Sequence, residues 1–283
     1  MAERANDEHD TARGSAAPEA GTRYSADEIH ENILHAAEEE MDRPAGELWL
    51  SGLAAGLGMG FSFLAVAVAS SMLSTERRPL ANALVYPLGF IYVVLARHQL
   101  FTENTLEPVI PLLERRTSRA LKKLIRLWAI VLVANLAGAA LFALAVARTR
   151  LLEPSAGGQL MEVARAATSG GAMAVFYKGI WAGWLVALMA WLLASTHDTT
   201  AQILLVWLTT APIAALGFKH SIAGAVEAFY RVWTGDVGIL SALTSFELPA
   251  LAGNVVGGIV LVALLNHGQA GSATKRGSTT PRS

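Results

Sequence analysis

The stretch that decides the fold is Ala96-Arg97-His98-Gln99-Leu100-Phe101-Thr102-Glu103-Asn104, a charged and polar run inside an otherwise apolar segment. A second run of the same kind is Gly217-Phe218-Lys219-His220-Ser221. Ionisable residues are costly at mid-membrane unless the backbone breaks there and lines a cavity enclosed by protein. We therefore expect both runs to be helix breaks, and we expect the functional site to lie where they meet.

The rest of the chain has the composition of an integral membrane protein. Of its 283 residues, 53% are hydrophobic and 16% are charged, and the mean hydropathy is +0.41. The net charge of −1 is spread over separate segments, which gives no basic surface for nucleic acid. The absence of cysteine excludes disulfides, thiolate catalysis and zinc–thiolate sites. Zinc-protease, P-loop and serine-hydrolase motifs are also absent, so we expect neither an enzyme nor a cofactor.

Six apolar segments are each close to or above the roughly 20 residues that cross a bilayer. They run over 46–74, 80–112, 124–147, 171–195, 199–230 and 247–267. The two breaks fall in the second and fifth segments. With three spans per half, the second half enters the membrane from the opposite side, so a repeat between the halves must be inverted. The expected fold is an all-α membrane protein with six transmembrane helices and broken second and fifth helices.

The spacing of polar residues supports two related halves. Thr102 precedes Asn135 by 33 residues (135 − 102), and His220 precedes Asn254 by 34 (254 − 220). Each asparagine is followed by glycine in the next helix. The similar intervals predict an internal repeat that pairs the two breaks.

Glycines recur every four residues in the first and sixth segments. They are Gly52, Gly56, Gly60, Gly253 and Gly257. Such faces let helix backbones approach closely. We favour close packing as their role, and lining of a narrow pore is the alternative.

The polar segments divide into tails and one helix. Residues 1–24 and 269–283 are expected to be disordered tails, because they contain too few large apolar groups to bury a core. Ser25-Ala26-Asp27-Glu28 is typical of a capping box, and apolar residues follow it at helical spacing. Residues 25–44 are therefore expected to form an amphipathic helix, followed by a transmembrane domain over 45–268.

Orientation follows from the connection 113–126, which carries six basic residues against one acid, Glu114. The positive-inside rule places this connection in the cytoplasm. With six spans, both termini are then cytoplasmic, and the basic C-terminal residues Lys275, Arg276 and Arg282 agree with that orientation.

The two breaks carry residues suited to an anion. An unwound helix frees backbone polar groups, and the half-helix that follows directs its positive end at the cavity. Thr102 offers a hydroxyl donor, Lys219 a positive charge, and His220 an exchangeable proton. Phe101 and Phe218 lie beside these groups, where we expect them to form constrictions that exclude hydrated ions.

Other polar residues near the breaks each have two interpretations. We expect Arg97, His98 and Glu103 to form an ion-pair cluster that fixes the first break, with an electrostatic role in the path as the alternative. Lys178 either extends toward the membrane interface or adds charge near the path. The remaining candidates for the substrate path are Asn104, Asn135, Ser221 and Asn254.

These motifs resemble the formate/nitrite transporter family. The resemblance rests on Leu100-Phe101-Thr102 in the second helix, Gly217-Phe218-Lys219-His220-Ser221 in the fifth, and Asn254-Val255-Val256-Gly257-Gly258 in the sixth. It covers about 45–267. The longer string Gln99-Leu100-Phe101-Thr102-Glu103-Asn104-Thr105-Leu106 is similar to the YfdC-like branch of the family.

The resemblance implies an aquaporin-like protomer in a homopentamer, held in membrane lipid at the bacterial inner membrane, with one substrate path per protomer. Family members pass small monovalent anions such as formate, nitrite, hydrosulfide or lactate. The family's central histidine matches His220, and the threonine of its second-helix loop matches Thr102. The two are thereby expected to face each other at the midpoint of the path.

Three positions depart from the family pattern. Lys219 stands where the family has glutamate, Gly183 stands where it has asparagine, and Ala166-Ala167-Thr168-Ser169 lacks the lysine found there in the family. We therefore expect Lys219 to be the charge that attracts the anion, with Glu103 as its partner.

The expected function is a channel or secondary transporter for a small monovalent anion or its neutral acid. One alternative is a pore whose reversed charge has changed its selectivity toward a neutral solute or another ion. The other is a non-conducting scaffold or sensor, in which the acidic helix over 25–43 binds a cytoplasmic partner.

Overall fold

The computed structural model describes residues 24–149 and 151–263, and within these ranges its regular secondary structure is helical throughout. Apart from Tyr24, the two expected tails lie outside the described residues, as does the C-terminal basic group. The helices are α1 (Ala26–Asp42), α2 (Ala45–Met72), α3 (Arg78–Val85), α4 (Leu88–Leu95), α5 (Val109–Arg115), α6 (Ser118–Arg148), α7 (Pro154–Gly157), α8 (Gln159–Ala167), α9 (Ala172–Leu193), α10 (Thr199–Ala215), α11 (Ser221–Trp233), α12 (Ile239–Ala242) and α13 (Leu248–Val256).

Helix α1 begins at a capping box. The Glu28 backbone N–H donates to Ser25 Oγ at 3.2 Å, and the Ser25 N–H donates to Glu28 Oε2 at 2.6 Å. Because these bonds favour the charged carboxylate, they lower the pKa of Glu28. The two orphan donors at the start of the helix are therefore satisfied within the chain.

The acidic side of α1 pairs with basic residues at the end of α5 and the start of α6. Asp42 forms an ion pair with Lys123, and Glu38 forms one with Arg115. The hydrogen bond from Lys123 lowers the pKa of Asp42. These pairs place α1, the end of α5 and the start of α6 on the same side of the bundle, and they engage two of the acids that the scaffold alternative assigns to a partner.

Five helical segments are long and apolar enough to cross a membrane. They are Ala45–Met72, Arg78–Leu95, Ser118–Arg148, Ala172–Leu193 and Ile239–Val260. The expected fifth span appears as the shorter apolar helix α10, because that helix ends at the second break. The all-helical fold class with broken second and fifth helices is confirmed.

Two boundaries differ from the sequence prediction. The last span begins at Ile239 rather than 247. The sequence prediction began the span at Glu247, but this residue is buried inside the span, in a π-helical turn over Leu243–Glu247. A second π-helical segment, Gly257–Ala263, continues α13. Helix α6 begins at Ser118 rather than 124, so several basic residues of the expected loop lie on its first turns.

Glycines set the spacing of the helices. A Cβ at Gly56 would lie 2.1 Å from Asn135 O, and one at Gly257 would lie 2.0 Å from Ile180 O. A Cβ at Gly183 would similarly lie 2.2 Å from Asn254 O. The helix backbones of α2 and α6, and of α9 and α13, are therefore in direct contact, as the packing interpretation predicted.

Both breaks open with the same backbone motif. Arg97 after α4 and Gly217 after α10 have left-handed φ values of 54° and 64°. One residue further on, His98 N–H donates to Val93 O and Phe218 N–H to Ile213 O, each at 2.9 Å. This is the Schellman arrangement that closes a helix C-terminus. The first break then runs through a 3₁₀ turn, Glu103–Thr105, to α5.

Candidate functional site

Two buried asparagines hold the breaks in place with matching sets of hydrogen bonds. Asn135 Oδ1 accepts from Phe101 N–H at 2.8 Å, and Asn254 Oδ1 accepts from Ser221 N–H at 2.8 Å. Each amide nitrogen donates to two carbonyls, one on the first helix of its half and one in the break: Gly52 and Gln99 for Asn135, Gly179 and Lys219 for Asn254. Both side chains are thus braces directed at backbone.

These bonds establish the repeat residue by residue. Phe101 in the first half is equivalent to Ser221 in the second, and the amide-to-asparagine separations are 34 and 33 residues. The sequence spacing correctly indicated related halves, and the bonds show that Thr102 and His220 are not themselves equivalent positions. The two residues approach each other across the site instead of occupying corresponding positions.

Thr102 and His220 join the two breaks. Thr102 Oγ1 and His220 Nε2 are 2.8 Å apart, and the residues are 0% and 2% exposed. His220 is also the N-cap of α11, where its Nδ1 accepts from Ala223 N–H at 3.0 Å. Because the neutral ring has one N–H, Nδ1 is the acceptor and Nε2–H donates to Thr102. Phe90 packs edge-on to the imidazole at 5.0 Å.

The side chain of Lys219 extends from the second break to the C-terminus of α8. Its Nζ donates to Ala166 O at 3.2 Å and to Ala167 O at 2.5 Å. A cation is favourable there because the last carbonyls of a helix carry partial negative charge. The expected partnership with Glu103 is wrong: within the described ranges, Glu103 makes no ion pair within 4 Å, and its Oε1 is buried without a hydrogen-bond partner.

A cavity of about 380 Å³ leads to this site. At its outer end Arg78 pairs with Glu162 at 3.3 Å, and its inner lining includes Phe218, Lys219 and His220. The cavity therefore brings the central histidine and the lysine into one vestibule. Phe101, in contrast, is buried against Trp128, with ring centres 5.6 Å apart, and is not among the lining residues.

The remaining predicted residues have structural positions around the site. Asn104 Nδ2 donates to Gln99 Oε1 at 3.0 Å, and the Asn104 carbonyl accepts from Trp128 Nε1 at 2.9 Å. Ser221 is fully buried, with no partner for its Oγ in the described part of the chain. Lys178 is exposed on α9, and its carbonyl accepts from Lys219 N–H at 3.4 Å.

The expected ion-pair cluster at the first break is not formed. Among the described residues, neither Arg97 nor His98 has a carboxylate within 4 Å, and Arg97 is exposed. The sequence interpretation was wrong because Arg97 lies at the left-handed helix end, where its backbone conformation directs the chain into the break.

Helix α8 and the end of α11 are joined by a charged cluster. Arg165 and Arg231 both bind Asp236, and Arg231 Nη1 also donates to Thr168 Oγ1 at 2.7 Å. Hydrogen bonds from Arg165 and Arg231 lower the pKa of Asp236 to about 2. The cluster fixes the helix end that supplies the Lys219 carbonyl partners.

Sequence reasoning missed several residues of the vestibule. Glu227 is 5% exposed and lines the cavity with Tyr86 and the Arg78–Glu162 pair. The available signal was an acid inside the apolar segment 199–230, seven residues after His220. That interval corresponds to two turns of a helix and places both residues on one face.

The fold and the site define a class of protein. A membrane-spanning helical bundle, with two broken helices that meet at a buried polar site, is the architecture of a membrane channel or transporter. The sequence model of the formate/nitrite transporter family matches residues 27–268. The chain belongs to this family.

Curated relatives agree with this assignment. The chain is 35% identical to Inner membrane protein YfdC of Escherichia coli over 244 residues, which cover 85% of this chain and 77% of that protein. It is 27% identical to Nitrite transporter NirC of Salmonella typhimurium, with coverage of 82% and 86%. These relatives bear out the expected resemblance to the YfdC-like branch, and the family consists of transporters and channels rather than enzymes.

Solved structures share the fold. A structure described as an FNT family ion channel has a TM-score of 0.73 at 24% identity, covering 85% of this chain and 97% of that one. A structure described as a pentameric formate channel with formate bound has a TM-score of 0.65 at 24% identity, with coverage of 78% and 95%.

Proposed function

We propose that this protein is a channel or secondary transporter for a small monovalent anion or its neutral acid, with one path in each protomer of a homopentamer. We place it in the bacterial inner membrane, surrounded by lipid, with both termini in the cytoplasm. Membership in the formate/nitrite transporter family supports transport as the activity. The relatives named for nitrite and formate, and the pentameric formate channel, support the substrate class and the assembly.

The observation that carries this proposal is the contact between Thr102 and His220 at the inner end of the vestibule. Two helix breaks separated by 118 residues in sequence place a hydroxyl and an imidazole 2.8 Å apart. Both groups exchange hydrogen bonds readily, so together they can replace part of the hydration of a small polar solute.

Lys219 supplies the attraction for an anion in this proposal. An ammonium group has three N–H donors. Two of those of Lys219 donate to the carbonyls of Ala166 and Ala167. One donor is thus left for the cavity that this residue lines. The family has a lysine within the stretch aligned with 166–169, and this chain has none there. The side chain of Lys219 reaches the carbonyls of 166–167 from the second break and so places a positive charge beside that stretch.

The test is stopped-flow uptake of formate, nitrite, hydrosulfide and acetate into liposomes that contain the purified protein. We expect uptake of at least one of these anions. Lys219→Glu should reduce it by about tenfold or more, because charge in a vestibule raises the local anion concentration by that order. Lys219→Arg keeps the charge and serves as the matched control.

Three outcomes would contradict the proposal. Unchanged uptake by Lys219→Glu would remove Lys219 from the anion path. Uptake of an uncharged solute without any anion flux would favour the pore of altered selectivity. No flux of any kind from an intact oligomer would favour the non-conducting scaffold.

A further inference from the structure

Glu227 lines the vestibule, yet one oxygen of its carboxyl group has no hydrogen-bond partner among the described residues. The residue is 5% exposed, and its Oε2 is buried without a hydrogen bond. An ionised carboxylate in such a position is strongly unfavourable. The group is stable either as the uncharged acid or when a bound molecule supplies a donor.

Glu227 lies between the outer end of the cavity and the centre of the site. His220, Gly224 and Glu227 form one face of α11, and all three line the cavity. Seven residues of helix separate Glu227 from His220 by about 10 Å along the helix axis. A solute that enters beside Arg78 and Glu162 therefore meets Glu227 on the way to His220.

The imidazole is poorly placed to give a proton to a solute in the vestibule. Its Nδ1 accepts from Ala223 N–H, and its Nε2 is hydrogen-bonded to Thr102. Both ring nitrogens are therefore already committed to groups of the protein. Glu227 is an acid of the vestibule whose Oε2 has no hydrogen-bond partner in the described part of the chain.

We propose that Glu227 protonates the anion of a weak acid inside the vestibule, so that the solute passes His220 as the neutral acid. This inference rests on the proposed function and extends it by naming the proton donor. The Glu227 O–H bond breaks and an O–H or S–H bond forms on the anion, so that the negative charge moves to Glu227.

Lys219 stabilises the negative charge that remains on Glu227. It lines the same cavity, and its ammonium and the Glu227 carboxylate attract each other. Water at the outer end of the cavity then returns a proton to Glu227. The cycle moves one proton with each anion, and it serves anions of weak acids but not nitrate or chloride, which are not protonated under these conditions.

Other ionisable groups surround the same helix. The cavity contains Arg78, Tyr86, Glu162, Lys219 and His220, while Glu247 lies on the neighbouring last helix and Lys178 lies near Lys219. A pH profile of uptake alone would combine the titrations of all these groups. Variants of single residues are therefore needed.

The test compares the full-length wild type with Glu227→Gln and Glu227→Asp in liposomes that contain a pH-sensitive dye. Glu247→Gln is the matched control, because Glu247 is also buried, with both carboxylate oxygens unpartnered among the described residues, but does not line the cavity. Size-exclusion chromatography verifies that each variant keeps its oligomeric state. Formate and nitrate are the two anions supplied.

We expect the wild type to take up one proton with each formate and to take up nitrate far more slowly. Glu227→Gln should lower formate-coupled proton entry at least tenfold and abolish its acceleration at low external pH. Glu227→Asp should restore part of both, and Glu247→Gln should behave as the wild type. Wild-type coupling in Glu227→Gln would overturn the proposal.

Infrared difference spectroscopy separates this inference from the proposed function. The carbonyl stretch of a protonated carboxylic acid should respond to formate in the wild type and in Glu247→Gln, and should be lost in Glu227→Gln. If the wild type carries no anion, the proposed function fails while the band still decides the role of Glu227. Absence of a formate-sensitive band that depends on Glu227 would overturn the assignment.

Discussion

At the scale of single residues, the two breaks use one backbone motif with different side chains. Gly217 adopts its left-handed conformation without a steric penalty, whereas Arg97 adopts a similar one with a Cβ. Arg97 is exposed and has no ion pair within the described part of the molecule. The residue therefore carries a conformational cost that no ion pair or side-chain hydrogen bond with a described residue offsets.

We expect Arg97→Gly to stabilise the protein by about 1 kcal/mol, because glycine removes the cost of the left-handed conformation. Gly217→Ala should destabilise it by a similar amount for the opposite reason. Thermal unfolding in detergent measures both. Arg97→Ala is the control, since it removes the charge but keeps the Cβ, and a stabilisation equal to that of Arg97→Gly would assign the effect to the charge.

The sequence located the central residues but not all of their partners. His220 and Thr102 were recognisable because polar groups inside apolar spans are conspicuous. The partners of Lys219 were not, because they are backbone carbonyls of α8, which belongs to a connection without a recognisable motif. Glu227 was missed because a single acid near the end of a span resembles an interface residue.

At the scale of helices, close backbone contact takes the place of the hydrophobic effect that drives packing in water. Gly56 and Gly183 occupy equivalent positions against α6 and α13, and a Cβ at either would lie 2.1 or 2.2 Å from a carbonyl oxygen. Those carbonyls belong to Asn135 and Asn254, the residues that hold the two breaks. Helix spacing and site geometry are therefore coupled.

We expect Gly56→Ala and Gly183→Ala to destabilise the protein by about 1–3 kcal/mol each, because the added methyl group forces the helices apart. Gly46→Ala is the matched control: it lies in the first turn of α2, where nothing is within 4 Å of the new Cβ. That variant should be neutral or more stable by up to about 1 kcal/mol. Equal melting temperatures for Gly56→Ala and Gly46→Ala would contradict the packing argument.

At the scale of the whole molecule, the orientation in the membrane remains a prediction from charge. Helix α1, α5 and the start of α6 lie on one side of the bundle, and the ion pairs between them join acidic and basic segments. The positive-inside rule assigns this side to the cytoplasm. Helix α6 crosses the membrane from this side, and α7 and α8 follow it in the chain. We therefore assign α7 and α8 to the opposite side.

Single cysteines can test this orientation, because the natural chain contains none. Ser118 and Ser155 are both exposed, at the start of α6 and in α7. We expect an impermeant maleimide to label Ser155→Cys in intact spheroplasts and to label Ser118→Cys only after the membrane is opened. Labelling of Ser118→Cys in intact spheroplasts would reverse the assigned orientation.

The sequence by itself determined the membrane class, the two helix breaks and the residues at the centre of the site. These follow from local properties, since apolar length and an ionisable group inside it can be recognised within one segment. The resemblance already implied that Thr102 and His220 face each other, but only the tertiary structure decided that Lys219 meets the end of α8 and that Glu227 lines the vestibule. The physical reason is that these contacts join elements distant in sequence, often through backbone atoms, which no residue type specifies.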